Sequence, residues 1–442
     1  MHLLSLDGHA TNSAYRYTGP WNLGDLDQKF NVSPRYFTLQ ENDRPKLLST
    51  GVSLRGPGLM VRLGEKQSVA VSSRVRSALQ GNNISQELIR NTLAKFDVKG
   101  RAANNTFNLN LNAFAEWDVT YARVLTEEGP HFLKAGVTVK RLMEAGSAYL
   151  QAKTVDYEII DKATAVNDTT VRLHNLDATF GYSNPDAFDD LDAKTAAKWL
   201  TSGGAPGTGW GADFGVVYEY RPDAEQYRYR DAKGKEHADH GRNKYHFRVS
   251  AAITDLGSIR YDKQAVAYNA TKVRNLGVSE SDINGGNIGN FYQRVSDIVR
   301  AQQQAKEDHF RAGLPTALNV DVDYHVGWKL YANAAVSQGL RGRYAVGMRT
   351  FSYVAFTPRF ETRWLELAAP FSLINNYRIP AYGLAARLGP LTVGTNNLPA
   401  LFSSSNPYGA NVFAELSLLT WASKSHKNRP AKPARAPKAP KS

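Results

Sequence analysis

The chain has 442 residues, with 42% hydrophobic and 11% aromatic side chains, a mean hydropathy of −0.43 and no cysteine. No apolar run approaches the roughly 18 residues of a membrane-crossing helix, which excludes a helical membrane protein, and the absence of cysteine excludes disulfides, thiolate metal sites and cysteine nucleophiles. The net charge of +13 is unevenly placed: residues 424–442 hold seven Lys and Arg and no acid, leaving +6 elsewhere, so the body of the chain is only mildly basic and carries no specific nucleic-acid signature.

Residues 1–33 are rich in Asn, Gly and Asp and read as a lead-in or a luminal plug; they contain no basic start or sustained apolar core, hence no secretory signal peptide. From Pro34 the chain becomes a procession of alternating segments. In Val52 to Leu63 an apolar face (Leu59, Val61, Leu63) stands opposite Arg62, and Gly56-Pro57-Gly58 marks a bend or bulge. Val69, Val71 and Val75 then oppose Ser72, Arg74 and Arg76, and SQELIRNTLAKF within 79–103 is predicted as a short amphipathic helix in a loop.

The strongest segment is Thr106 to Tyr121. Phe107, Leu109, Leu111, Ala113, Ala115, Trp117, Val119 and Tyr121 occupy one face, while Asn108, Asn110, Asn112, Glu116, Asp118 and Thr120 occupy the other, with only Phe114 out of pattern. Soluble strands average about 5–6 residues, whereas a tilted strand crossing a bilayer needs roughly 9–11. Further strands are predicted at 133–142, 147–160, 169–181, 210–220 and 245–253, with Asp255-Leu256-Gly257 as a tight turn. Helices are predicted at 183–200 and 291–310. After Pro315 the pattern is regular: Leu318, Val320, Val322, Tyr324 and Val326 alternate with Asn319, Asp321, Asp323 and His325, followed by candidates at 328–338, 344–357, 363–373, 378–388, 391–396 and 409–420.

Short turns and longer loops alternate along this series, the asymmetry of an outer-membrane barrel. The parity fails to close between 147 and 258, so one strand there is miscounted. The expected fold is all-β: a single antiparallel transmembrane β-barrel of about 14–16 strands over 34–421, with short helices in loops. Residues 422–442, with four prolines among Lys, Arg and Ala, are expected to be a disordered basic arm.

The strings RGPGLMVRL (55–63), AVSSRVRS (70–77), YSNPDAF (182–188), GWGADFGVVYEYRPD (209–223), RVSAAITDLGSIRY (248–261), TPRFETRWLELAAPFSL (357–373) and ARLGPLTVGTNN (386–397) together resemble a Bacteroidetes-type outer-membrane barrel family known as a domain of unknown function. More distantly the chain is similar to fatty-acid-transporter barrels and to barrels that serve type IX secretion. The resemblance implies one barrel in the cell outer membrane and brings no catalytic residues with it.

If the apolar faces meet lipid, the luminal charges are Arg62, Arg74, Arg76, Glu116, Asp118, Asp321 and Asp323, which either pair to rigidify the barrel or serve passage. Asp321, Asp323 and His325 share a face and offer oxygen and nitrogen ligands, but without the glycine-bearing loop of a calcium hand. Trp117, Tyr121, Trp210, Tyr220, Trp364 and Trp421 fit an interfacial girdle. No enzyme constellation, cofactor or metal is expected. The expected partners are outer-membrane lipid and a hydrophobic small ligand passed or captured by the barrel; alternatively it is a scaffold docking a secretion or cell-envelope protein, its tail touching anionic polymer, or a soluble all-β binding protein.

Overall fold

A computed structural model describes residues 2–17, 37–160, 169–183, 205–224, 228–230, 236–238, 245–279, 297, 306–401 and 408–417, apart from positions 43, 65, 94, 95, 97, 206, 264 and 363. The predicted helix at 183–200, most of that at 291–310, Trp421 and the basic tail lie outside these residues.

Among the described residues fourteen antiparallel strands close into one barrel. In ring order they are β1 (His2–Asn12), β2 (Lys46–Arg55, continued past a bend by Leu59–Arg62), β3 (Gln67–Ile84), β4 (Gly100–Glu128), β5 (His131–Ile159), β7 (Gly207–Tyr220), β8 (Phe247–Tyr261), β11 (Ala317–Gly327), β12 (Leu330–Gly339) and β13 (Tyr353–Glu361). The ring is completed by β14 (Leu365–Ala368 with Phe371–Leu373), β15 (Ile379–Tyr382 with Leu384–Leu388), β16 (Leu391–Thr395) and β17 (Gly409–Ser417). β17 pairs with β1 from Leu416↔Leu4 to Gly409↔Thr11.

That closure corrects the expectation for 1–33, since His2–Asn12 is a wall strand, paired with β17 on one side and β2 on the other. Leu4 and Leu6 point outward and are about half exposed, while Asp7 and His9 point inward. The same alternation runs through every wall. In β1 the outward face runs Leu4, Leu6, Gly8, Ala10, and with only two large apolar residues it does not stand out in the sequence.

β4 and β5 are both 29 residues long, nearly three times what a bilayer crossing needs. This resolves the failed parity: 133–142 and 147–160 belong to one strand, interrupted by a bulge at Ala145, because Ala113 faces Gly146 while Phe114 faces Glu144. The extra residue switches which parity points inward, so the two halves read as separate strands. The far halves of β4 and β5 stay paired with each other as they leave the ring on the long-loop side, and β5 pairs on its other edge with β6 (Thr169–Ser183), which pairs with β9 (Ala265–Val273, followed by Leu276–Ser279). This annex has its own core, including Val155, Tyr157, Phe180 and Tyr268, against which Leu88 of α1 (Gln86–Leu93) packs.

The turns at Gly129-Pro130, Gly327 to Lys329 and Gly389-Pro390 are short and share an end with both chain ends of the ring. Asp255-Leu256-Gly257 is not a turn. Asp255 at φ 57° and Gly257 at φ 137° form a bulge inside β8, and pairing with β7 continues through Ala212↔Leu256 and Gly211↔Gly257. A Cβ on Gly257 would lie 2.2 Å from the Trp210 carbonyl oxygen, so no larger residue fits that bulge.

Outward side chains form an apolar belt around the whole ring. Val119, Val139, Phe214, Val320, Phe356, Leu367, Val393, Val412 and Leu6 are all at least 36% exposed. Trp328 and Trp364 stand exposed at short turns, and Trp210 near the opposite end.

Candidate functional site

The inward face is polar. In β3 it presents Ser72, Arg74, Arg76, Gln80 and Asn82, and in β4 Asp118, Glu116, Phe114, Asn112, Asn110 and Asn108, in direct register. The alternation predicted for both strands is therefore the alternation observed.

Arg76 is the centre of the first cluster. It donates from Nη1 to Asp255 Oδ2 at 2.7 Å and from Nη2 to Asp255 Oδ1 at 2.9 Å and Glu116 Oε2 at 2.5 Å. Lys140 of β5 donates to the same Asp255 at 2.6 Å and lies 2.8 Å from Asp213 of β7. β3 and β8 are four places apart in the ring, so these contacts form a strut across the lumen rather than along one wall. Phe114, the residue out of pattern in the sequence, faces inward beneath the Arg76 guanidinium, 4.7 Å from its ring centre. The mismatch thus marks a cation–π contact.

Arg74 reaches Ser53 at 2.8 Å and Glu116 at 3.9 Å, and Asp118 accepts from Ser72 at 3.3 Å. Arg62 shares the inward face but lies exposed near the short-turn rim, apart from this cluster. Sequence reading missed Asp255, Lys140 and Asp213; one of the two lysines in LKAGVTVKRL and the aspartate of Asp255-Leu256-Gly257 carry no local signal of contacts made this far along the chain.

The second cluster lies near the short-turn rim. Asp323 is fully buried and accepts from Tyr245 Oη at 2.6 Å, Arg359 Nη2 at 2.8 Å and Arg248 Nη2 at 3.4 Å. Asp321 accepts from Asn333 at 2.5 Å, and Glu366 joins Arg387 at 3.0 Å. His325 stacks on Tyr331 instead of turning toward the carboxylates. Among the described residues no three His, Asp or Glu side chains converge as a metal site. Asp321 and Asp323 serve arginine, tyrosine and asparagine donors.

The third feature closes the long-loop end. Residues 340–352 connect β12 and β13; the sequence predicts a strand from 344, but the whole segment folds inward and crosses to β3 and β4, six and five places from β12 in the fourteen-strand ring. Side-chain amides there replace ladder partners for the loop backbone. Gln80 both donates to the Arg349 carbonyl and accepts from its N–H, each at 2.8 Å. Asn110 accepts from Gly347 N at 3.0 Å, and Asn108 donates to the Arg343 carbonyl at 2.9 Å. Gly347 is essential to the fit: at φ 108°, a Cβ would lie 2.4 Å from the Gly313 carbonyl oxygen. Arg341 donates to the Val346 carbonyl at 2.7 Å, and Arg349 to the carbonyls of Arg341 and Arg343 at 2.9 and 2.7 Å. Burial lowers both guanidinium pKa values, and for Arg349 the nearby Arg341 and Arg343 lower it further.

An apolar cluster packs against this loop. Phe114, Leu142 and Tyr149 meet Tyr261, Leu314 and Phe310 of β10 (Phe310–Gly313), with Val346 and Met348 of the loop packed against them. Tyr261 and Phe310 stack at 4.4 Å.

Residues 2–396 match the model of a family described as a family of unknown function (DUF5723). The chain belongs to this family. Comparison with curated proteins gave no match. Among solved structures, the family member described here is similar to the P. putida toluene transporter TodX, at 10% identity and a TM-score of 0.36 over 93% of this chain and 86% of that one. It is also similar to the translocator domain of the autotransporter NalP from Neisseria meningitidis, at 8% identity and a TM-score of 0.31 over 95% and 89%. The Ralstonia pickettii toluene transporter TbuX is matched at 8% identity and a TM-score of 0.34 over 94% and 87%. Likeness of this degree says nothing about cargo.

Proposed function

We propose that the chain is an outer-membrane β-barrel with a polar lumen closed at the long-loop end by residues 340–352, and that it passes or captures a ligand when that loop releases. The observation that carries this reading is the pairing of an uninterrupted apolar outer belt with an inner face of buried charges and amides. In water such a belt would expose Val, Leu and Phe on every strand, far beyond the few hundred Å2 that soluble monomers tolerate. In lipid it is the arrangement required.

The lining bears on the cargo expected from sequence. An apolar ligand in the lower lumen would have to displace the Arg76–Asp255 strut and the Asp323 cluster without replacing their hydrogen bonds, a loss of several kcal/mol. A polar or charged solute exchanges partners there at smaller cost. The lumen therefore favours polar cargo, with the apolar ligand confined to the apolar cluster at the loop.

Single-barrel conductance in planar bilayers tests this reading. The intact protein is expected to be mostly closed, and deletion of 341–348 to give stable open steps. Equal conductance of the two forms would dismiss residues 340–352 as the closure.

A further inference from the structure

The long-loop end also holds an open cleft of about 320 Å3, bounded by residues of β2, β3, the 340–352 loop and 376–378. Lys46, Arg343, Arg349 and Arg378 line it, and no acidic side chain does so among the described residues. Lys46 is buried and its ammonium is already held by Gln40 and Asn42, so the guanidinium groups of Arg343, Arg349 and Arg378 are the cations that the cleft offers, whereas elsewhere in the lumen Arg76, Lys140, Arg248 and Arg359 each lie within 4 Å of a carboxylate. Two of the cleft's guanidinium groups meet uncharged acceptors: Arg349 donates to Asn82 Oδ1 at 3.1 Å and to two backbone carbonyls, and Arg378 to the Pro45 carbonyl at 2.7 Å. Desolvation lowers the Arg378 pKa, and the like charge of Arg44 adds to it.

One wall of the cleft is also strained. Asn375, Asn376 and Tyr377 are three successive non-glycine residues in the left-handed region, at φ 55°, 59° and 63°. Such a run persists only where surrounding contacts over-determine it. Asn375 donates to Thr11 Oγ1 at 2.7 Å, Asn376 accepts from Ser352 N at 2.9 Å and Tyr377 donates to Gln338 at 2.7 Å. The effect of these contacts is to place Arg378 beside β2, facing the loop that carries Arg343 and Arg349.

We propose that this cleft binds a doubly charged oxyanion of the phosphate class, either free phosphate or the phosphomonoester of a lipid headgroup. Several guanidinium groups converging from different elements supply the planar, charge-assisted donors that phosphate oxygens accept. The proposal rests on and deepens the reading above, because the inward-folded loop supplies two of the three guanidinium groups.

The test is calorimetric titration of inorganic phosphate into the full chain, refolded in maltoside micelles, which contain no phosphate. Arg343→Gln and Arg378→Gln are compared with the parent; neither side chain is among the amide contacts that hold the loop. Each is expected to weaken binding about tenfold, the value of one charged hydrogen bond, and the pair together to weaken it further. Competition by phosphatidic acid in mixed micelles identifies a lipid source; undiminished phosphate binding in its presence identifies free phosphate. Absence of phosphate binding by the parent, or affinity unchanged in both variants, overturns the proposal. Gel mobility with and without heating is recorded on the same samples, so a failed barrel is seen there and a failed cleft in the titration.

Discussion

Replacing Arg76 by methionine would keep most of its volume while leaving Glu116 and Asp255 facing each other in the lumen, with Lys140 beside Asp255 and Arg74 at 3.9 Å from Glu116 as the remaining cations. Removing one partner of a buried ion pair typically costs about 3–5 kcal/mol, because the other charge stays behind. Arg76→Met is therefore expected to lower the urea midpoint of the refolded barrel strongly. Adding Glu116→Gln should restore part of the loss, a non-additivity read in a double-mutant cycle. Independent, additive losses would show that the strut is not a coupled unit. At this scale the sequence was partly legible. Arg74, Arg76, Glu116 and Asp118 fall on the inward face as strict alternation requires, but nothing in a local pattern joins Arg76 to Asp255, because that contact is made by barrel closure and by a bulge.

The strands and the loop make sharper demands. Neighbouring residues of β4 face opposite ways, so Val119→Arg, on the outer belt, is expected to destabilise the barrel by about 2–4 kcal/mol in lipid, whereas Thr120→Arg on the inner face should be mild. Similar costs at both positions, measured by denaturant titration in vesicles, would contradict the assigned faces. For the loop, Gly347→Val meets both a positive φ and the Gly313 backbone, and should release residues 340–352 while leaving the wall strands folded. More frequent opening in planar bilayers, with unchanged β-type circular dichroism, is the expected outcome.

The loop and the bulges are also where sequence reading failed. Segment 344–352 alternates enough to resemble a strand, yet the amides of Gln80 and Asn110 satisfy its backbone at Arg349 and Gly347 as a neighbouring strand would. The bulges at Ala145 and Asp255 each shift the two-residue rhythm by one position. One produced a false strand boundary and the other a false turn.

For the molecule as a whole, the barrel depends on its first strand. Without β1, β2 and β17 would each present an unpaired edge, so deletion of residues 2–12 is expected to abolish the closed form and promote association through those edges. Retention of a closed, monomeric barrel after this deletion, judged by gel mobility and light scattering, would count against the closure described. Barrel class and approximate strand number were legible because long alternating segments with asymmetric connections are a property of the whole chain. The role of residues 2–12 was not, since a strand with only two large apolar residues on its outward face, followed by Gly8 and Ala10, gains its identity from the two strands it joins.

The most direct measurement of the central claim is electrophoretic mobility in SDS, with and without boiling, of protein refolded into detergent micelles. A closed fourteen-strand membrane barrel is expected to stay folded in SDS until heated, giving two bands that convert on boiling, with β-type circular dichroism acquired only in detergent or lipid. A single unshifted band, together with a folded monomer in plain buffer, would contradict it.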